Sequence, residues 1–286
     1  MTDIQSVAGP LDKLGLGLKL YTAILSLIAA YKGIPKLWHL WETRNLSKIW
    51  GIKNGEHITL ICSELDTPEA RQNLEPREFI YNLKYGDVDA YFEVVVTLLK
   101  LYPKLKLRIL SAGEVESARM DMAQTIVLIG GPDYNPVTAR ILKENITQII
   151  YRSPLEAERS VSHPDEIVIC QKTDNREFCH TDLMRDYGYF ERIRSPFNPA
   201  KNIILIGGCH TVGVTAAAKA FSMASSEHGE IPSAVLNNSK RAVRAIGDSR
   251  EFVVIVEALR LGQTINTPSI HESLISVKAP NTERII

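Results

Sequence analysis

The chain has 286 residues, 45% of them hydrophobic and 23% charged, with 33 lysines and arginines against 33 aspartates and glutamates. That length buries a sizeable core in one large or two modest domains, and the composition is that of a globular protein rather than a disordered or fibrous one. A balanced charge supplies no global field for a polyanion, so no nucleic-acid partner is expected.

The first fifty residues stand apart. Residues 14–31, LGLGLKLYTAILSLIAAY, are apolar except for Lys19. As a helix they would span about 27 Å, just short of a hydrocarbon core of about 30 Å. Lys19 lies near the edge, where its stem can snorkel toward the headgroups. Trp38, Trp41 and Trp50 follow, interleaved with Lys32, Lys36, Arg44 and Lys48. Clustered tryptophan with basic residues beside an apolar helix is the composition of a membrane interface. No small-residue cleavage site follows, so the stretch does not read as a removed signal peptide. Positive charge on its C-terminal side, with Asp3 and Asp12 before it, predicts attachment to the cell membrane with the main domain on the cytoplasmic side. The alternative is a long amphipathic helix that docks on the domain or on a second copy in a homo-oligomer. Residues 1–52 are thus expected to form a hydrophobic helix and its Trp/Lys-rich flank, and residues 53–286 a ligand-binding domain.

From residue 56 short apolar runs alternate with helical periods. HITLICSEL (57–65) reads as a strand covered on both faces, because its run is continuously apolar. DVDAYFEVVVTLLKLYP (87–103) reads as a helix capped by Asp87 and ended by Pro103. KLRILSA (106–112) and TIVLIGG (125–131) are the next strands. NPVTARILKEN (135–145) is a helix with Asn135 as N-cap and Pro136 in the first turn. Between 148 and 200 the pattern is irregular. QIIYR and EIVIC look like strands, and QKTDNREFCH before DYGYFERI suggests a hairpin, so an antiparallel insertion or edge is expected. NIILIGG (202–208) returns to the buried-strand pattern, TVGVTAAAKAFSMAS (211–225) follows as a helix, and EFVVIVEAL (251–259) is the last strand. Strands alternating with helices predict a doubly wound, mainly parallel α/β sheet of Rossmann-like type.

Two junctions share one design. TIVLIGGPDYNPVTARIL and NIILIGGCHTVGVTAAAKAF each place two glycines after a strand, then a polar turn and a helix. Gly130 and Gly131, with Asn135, and Gly207 and Gly208, with Thr211, would admit a ligand close to the backbone. The helix N-terminus beyond offers N–H groups and a positive dipole end to an anionic small molecule. A tight βα turn with no ligand explains each junction taken singly. Neither is GxGxxG or a P-loop, so the ligand, a nucleotide or NAD-like molecule, is not specified. Asp87, beside Gly86, is a third candidate for the same crevice.

The segments GGPDYNPVT (130–138), DYG (186–188), PFNP (196–199) and GGCHTVGVTAAAKA (207–220) occur in a fixed order that resembles the C-terminal domain of archaeal surface-layer proteins. The similarity covers roughly residues 125–221. It implies a Rossmann-like sheet and a structural role at a cell surface; the chain departs from that setting in lacking a cleavable secretion signal and in its unpaired cysteines.

For chemistry, cleavage of an N-glycosidic bond needs a carboxylate near the sugar. Glu64 and Asp66 follow the first strand, Glu114 and Glu116 the second and Asp133 the third, all near the presumed ligand edge. Glu64 or Glu114 is the candidate essential carboxylate, and His210, beside Thr211, is a candidate acid, base or phosphate ligand. A solvated loop acid and a hydrogen-bonded turn histidine are the plainer readings. Cys62, Cys170, Cys179 and Cys209 form no CxxC pair, which predicts buried thiols and no metal site by spacing. The sequence therefore supports a membrane-associated cytosolic sensor or effector for a nucleotide-like anion. An NAD or nucleoside N-glycosidase and a ligand-free envelope or assembly protein are the alternatives.

Overall fold

The computed structural model describes residues 43–63, 85–117, 121–154, 160, 162–180, 185–224, 230–261 and 264–278. The chain divides into two compact units, Met1–Arg44 and Asn45–Ile286. Residues 14–31, Trp38 and Trp41 lie outside the described residues, as do Glu64 and Asp66. Among the described residues no helix is long and apolar enough to cross a membrane.

The second unit is a mixed α/β domain with a mostly parallel central sheet and a separate antiparallel one. A helix over residues 43–50 (α1) leads into β1 (His57–Cys62), α2 (Tyr85–Leu101), β2 (Lys106–Ser111), α3 (Ala112–Ser117), β3 (Thr125–Ile129) and α4 (Pro136–Lys143). Then come β4 (Ile149–Arg152), β5 (Val168–Gln171), β6 (Arg176–Cys179), β7 (Arg185–Arg194) and β8 (Asn202–Gly208). The chain continues through α5 (Thr211–Lys219), α6 (Ser233–Ile246), β9 (Phe252–Leu261), β10 (Thr264–Ile265) and β11 (Ile275–Val277). The central sheet runs β10–β9–β7–β8–β3–β1–β2, with β11 also on β9, while β4, β5 and β6 form the small sheet. Strands β2, β1, β3, β8 and β9 share one direction, and β7 runs against them.

Alternation along the strands explains why their sequences are apolar throughout. Ile58, Leu60 and Cys62 enter one core with α1, α2, α5 and α6, whereas Ile61 enters a second core with α4 and the small sheet. The same division separates Val127 and Ile129 from Ile126 and Leu128, and Ile204 and Ile206 from Ile203 and Leu205. A sheet covered on both faces has no side on which polar residues would be favoured.

Several expectations are revised. Trp50, assigned to an interfacial flank, is fully buried, with its ring edge-on to Phe190 at 5.2 Å and Nε1 donating to Phe221 O at 3.3 Å. The domain core takes it because a large ring with one donor is satisfied by an apolar slot with one free carbonyl. The helix beginning at Tyr85 starts two residues before the expected cap, so Asp87 is a first-turn acid. The hairpin is β5–β6, turning through Asn175 at φ 54°. DYGYFERI belongs to β7, which is wedged between β8 and β9 in the central sheet. The alanine-rich helix stops at Lys219, and α6 and β11 were not anticipated.

Candidate functional site

The sheet reverses its winding at β1, which has β2 on one side and β3 on the other. In open α/β sheets ligand crevices form beyond the carboxyl ends of strands at such a reversal. The cleft in this sheet lies one strand further on, past the carboxyl ends of β3 and β8: Asp87 of α2, Gly131, Asp133 and Tyr134 after β3, and Gly208, Cys209, His210 and Thr211 after β8 line it. Tyr151 of β4, Ile167 and Val214 complete it, and its cavity volume is about 20 Å³.

Parallel pairing of β3 with β8, Ile126 with Ile203 through Ile129 with Ile206, brings the two glycine junctions side by side. Gly130 N donates to Ile206 O at 2.9 Å. Gly130 has φ 100°, and a Cβ there would collide with the Ser63 hydroxyl. Only glycine takes that backbone without strain. The other pair has a different cause. Gly207 and Gly208 are the last residues of β8, and added Cβ atoms would meet the Tyr189 ring and the backbone of Gly213 and Val214. Of that pair, only Gly208 lines the cleft.

Asn135 is the N-cap of α4, its Oδ1 accepting from Val137 N and Thr138 N at 3.2 Å and its Nδ2 donating to Ile129 O at 3.1 Å. It is fully buried and holds the turn rather than lining the cleft. The N-terminus of α5 is held from outside. Asp186 of β7 accepts through Oδ2 from Gly213 N at 2.6 Å and His210 N at 3.2 Å, and through Oδ1 from Tyr187 N at 2.8 Å. Burial pushes its carboxyl above the ordinary range, against the lowering pull of those N–H groups and of the His210 and His180 rings. Both helix N-termini thus carry internal acceptors, which reduces what they offer an anion.

Asp133 accepts from the Tyr151 hydroxyl at 3.2 Å, and burial together with that carboxylate pushes the phenol well above its usual range. Glu114 is placed elsewhere. It sits in a capping box, its Oε2 accepting from Ser111 N at 2.8 Å while Ser111 Oγ accepts from Glu114 N at 3.3 Å, beside the outermost strand β2. That reciprocal bond accounts for the residue as a helix start, and Glu114 does not line the cleft. All four cysteines are buried. Burial raises the Cys62 thiol to about 12 and Cys209 well above its normal value, and Cys209 Sγ donates to Phe178 O at 3.4 Å. A protonated, enclosed thiol is a poor nucleophile.

Sequence reasoning passed over Glu166 and His180. Glu166 precedes β5 and His180 follows β6, yet a ligand atom from each and from His210 lie within 4.8 Å of one another. No spacing rule finds such a group, because its members come from segments that only the small sheet's docking brings together. No protein-family model matches the chain, and no curated protein matches it.

Proposed function

We propose that residues 45–278 form a doubly wound, Rossmann-like domain that binds a nucleotide-like, ribose-bearing anion, and that the protein is a membrane-associated cytosolic sensor or effector. The convergence of both glycine junctions on one cleft beyond the carboxyl ends of β3 and β8 carries this reading. The carboxylates of Asp87 and Asp133 suit ribose hydroxyls, as an acidic residue does in dinucleotide-binding folds. Thr211 and the backbone at Gly131 and Gly208 supply neutral polar contacts. A cavity volume of about 20 Å³ is far below that of ligand pockets, roughly 300–1,000 Å³, so binding requires the loops after β3 and β8 to open. Attachment to the membrane rests on the apolar stretch 14–31 and on Trp38, Trp41, Lys32 and Lys36 beside it.

The test is a thermal-shift series with NAD, ADP-ribose, mononucleotides and nucleosides. A ligand at a hundred times its Kd stabilises by about 2.7 kcal/mol, which corresponds to a rise of roughly 5–10 °C for a domain of this size. Asp87→Asn and Thr211→Val should remove the rise. No rise with any of these compounds, or a rise unchanged in both variants, refutes the reading. Absence of any shift together with ordered polymers would favour the structural role that the surface-layer resemblance implies.

One observation favours a second reading, N-glycosidase activity. Two carboxylates, Asp87 and Asp133, line the cleft, and in this reading either would stabilise a developing oxocarbenium ion. Release of nicotinamide or free base, abolished by Asp133→Asn, would establish it.

A further inference from the structure

Three side chains able to ligate a metal meet beside the cleft from three separate segments. Glu166, His180 and His210 are all partly buried, and one ligand atom from each lies within 4.8 Å of the others. The two imidazoles stand edge to face with centroids 5.0 Å apart. Their placement is anchored on both sides. Cys209 Sγ donates to Phe178 O at 3.4 Å, and the Phe178 ring packs on Tyr187 at 5.4 Å, which fixes the hairpin end from which His180 emerges. Buried Asp186 holds the main-chain N–H of His210 at 3.2 Å and lies near enough to both imidazoles for their charge to act on it.

We propose that Glu166, His180 and His210 bind one divalent transition ion of the zinc class. Two imidazoles and a carboxylate are a donor set for borderline ions rather than for magnesium or calcium, and three protein ligands leave a position for water or another ligand. Tetrahedral ligand atoms stand roughly 3.4 Å apart, so rotations that move the side chains by about an ångström close the set. The assignment does not depend on the ligand reading. It does supply what that reading lacks, since the cleft's lining includes Asp87 and Asp133 but, among the described residues, no lysine or arginine. His210 belongs to both groups and joins them.

Chelator-treated full-length protein is titrated with Co²⁺ alone, then with Zn²⁺. Expected are one Co²⁺ per chain, visible d–d absorption of a nitrogen and oxygen donor set without thiolate charge transfer, and displacement by Zn²⁺ but not by Mg²⁺. His180→Gln and Glu166→Gln should each weaken Co²⁺ binding by more than the roughly tenfold to hundredfold that loss of an outer-sphere partner costs. Their metal-free melting temperatures should match the wild type. If either variant proves less stable, the paramagnetically shifted ring N–H resonances of the wild-type Co²⁺ form decide, because two histidine ligands give two such signals. Thiolate bands, undiminished binding in the double variant, fewer than two histidine signals, or no binding at micromolar Co²⁺ overturns the proposal.

Discussion

Glu191, in the middle of β7, has no exposed surface, and its carboxyl is pushed up to about 8 from an ordinary 4.5. Burial is the largest cause and Glu251 adds to it, outweighing the lowering effect of Gln148 N, Lys172 and Lys278. The folded chain therefore keeps a proton that the unfolded chain releases. The stabilisation is complete below the unfolded value and is lost as pH rises through about 8. Urea midpoints should fall from about pH 5 to about pH 9, and Glu191→Gln should flatten that fall. An unchanged slope in the variant would refute the assignment. Residues with a local role were legible in the sequence: Asn135 was read as the N-cap of α4 from the Asn-Pro pair alone, and it is one. Residues whose role comes from distant contacts were not. Glu114 looked catalytic because it follows a strand, when Ser111, three positions earlier, explains it.

At the scale of elements, α5 depends on a strand that precedes it in the chain. No side-chain bond from its own N-cap, His210, closes the helix; Asp186 does so from β7. Asp186→Ala should destabilise by about 1–3 kcal/mol, the cost of leaving buried donors without an acceptor. Chemical denaturation measures this, and a loss below about 0.5 kcal/mol would contradict the capping role. Most strands and the helices α2, α4 and α5 were readable because a strand buried on both faces writes a continuous apolar run. Strand β7 was not, since RDYGYFERIR mixes charge with aromatic residues as an exposed hairpin would. Three of its charges, Asp186, Glu191 and Arg192, are buried. The Arg192 guanidinium donates to Lys48 O at 2.5 Å and Ile49 O at 2.7 Å at the end of α1, and to Arg250 O at 2.9 Å. Helix α6 escaped notice because polar groups lie on its inner face. Buried Asn238 donates to Ala220 O and Pro268 O and accepts from Ile270 N.

For the molecule as a whole, the folded body includes Trp50, and the proposed anchor would lie before it. Removing residues 1–40 should leave the cooperative unfolding transition intact and shift the protein from the membrane fraction to the soluble one. Extending the deletion through Trp50 should cost at least the roughly 3–5 kcal/mol of a buried tryptophan replaced by alanine. Fractionation and denaturation read the two effects separately. Equal partitioning of full-length and shortened chains would end the membrane reading.

Strand β7 also sets an order of events during synthesis. It pairs along Arg185–Arg192 with β9, which the ribosome delivers some sixty residues later. Until then one side of an almost wholly buried strand has no neighbour. A nascent chain paused in α6 would expose a long adhesive ribbon edge, the kind of surface that recruits holdase chaperones or seeds inclusion bodies.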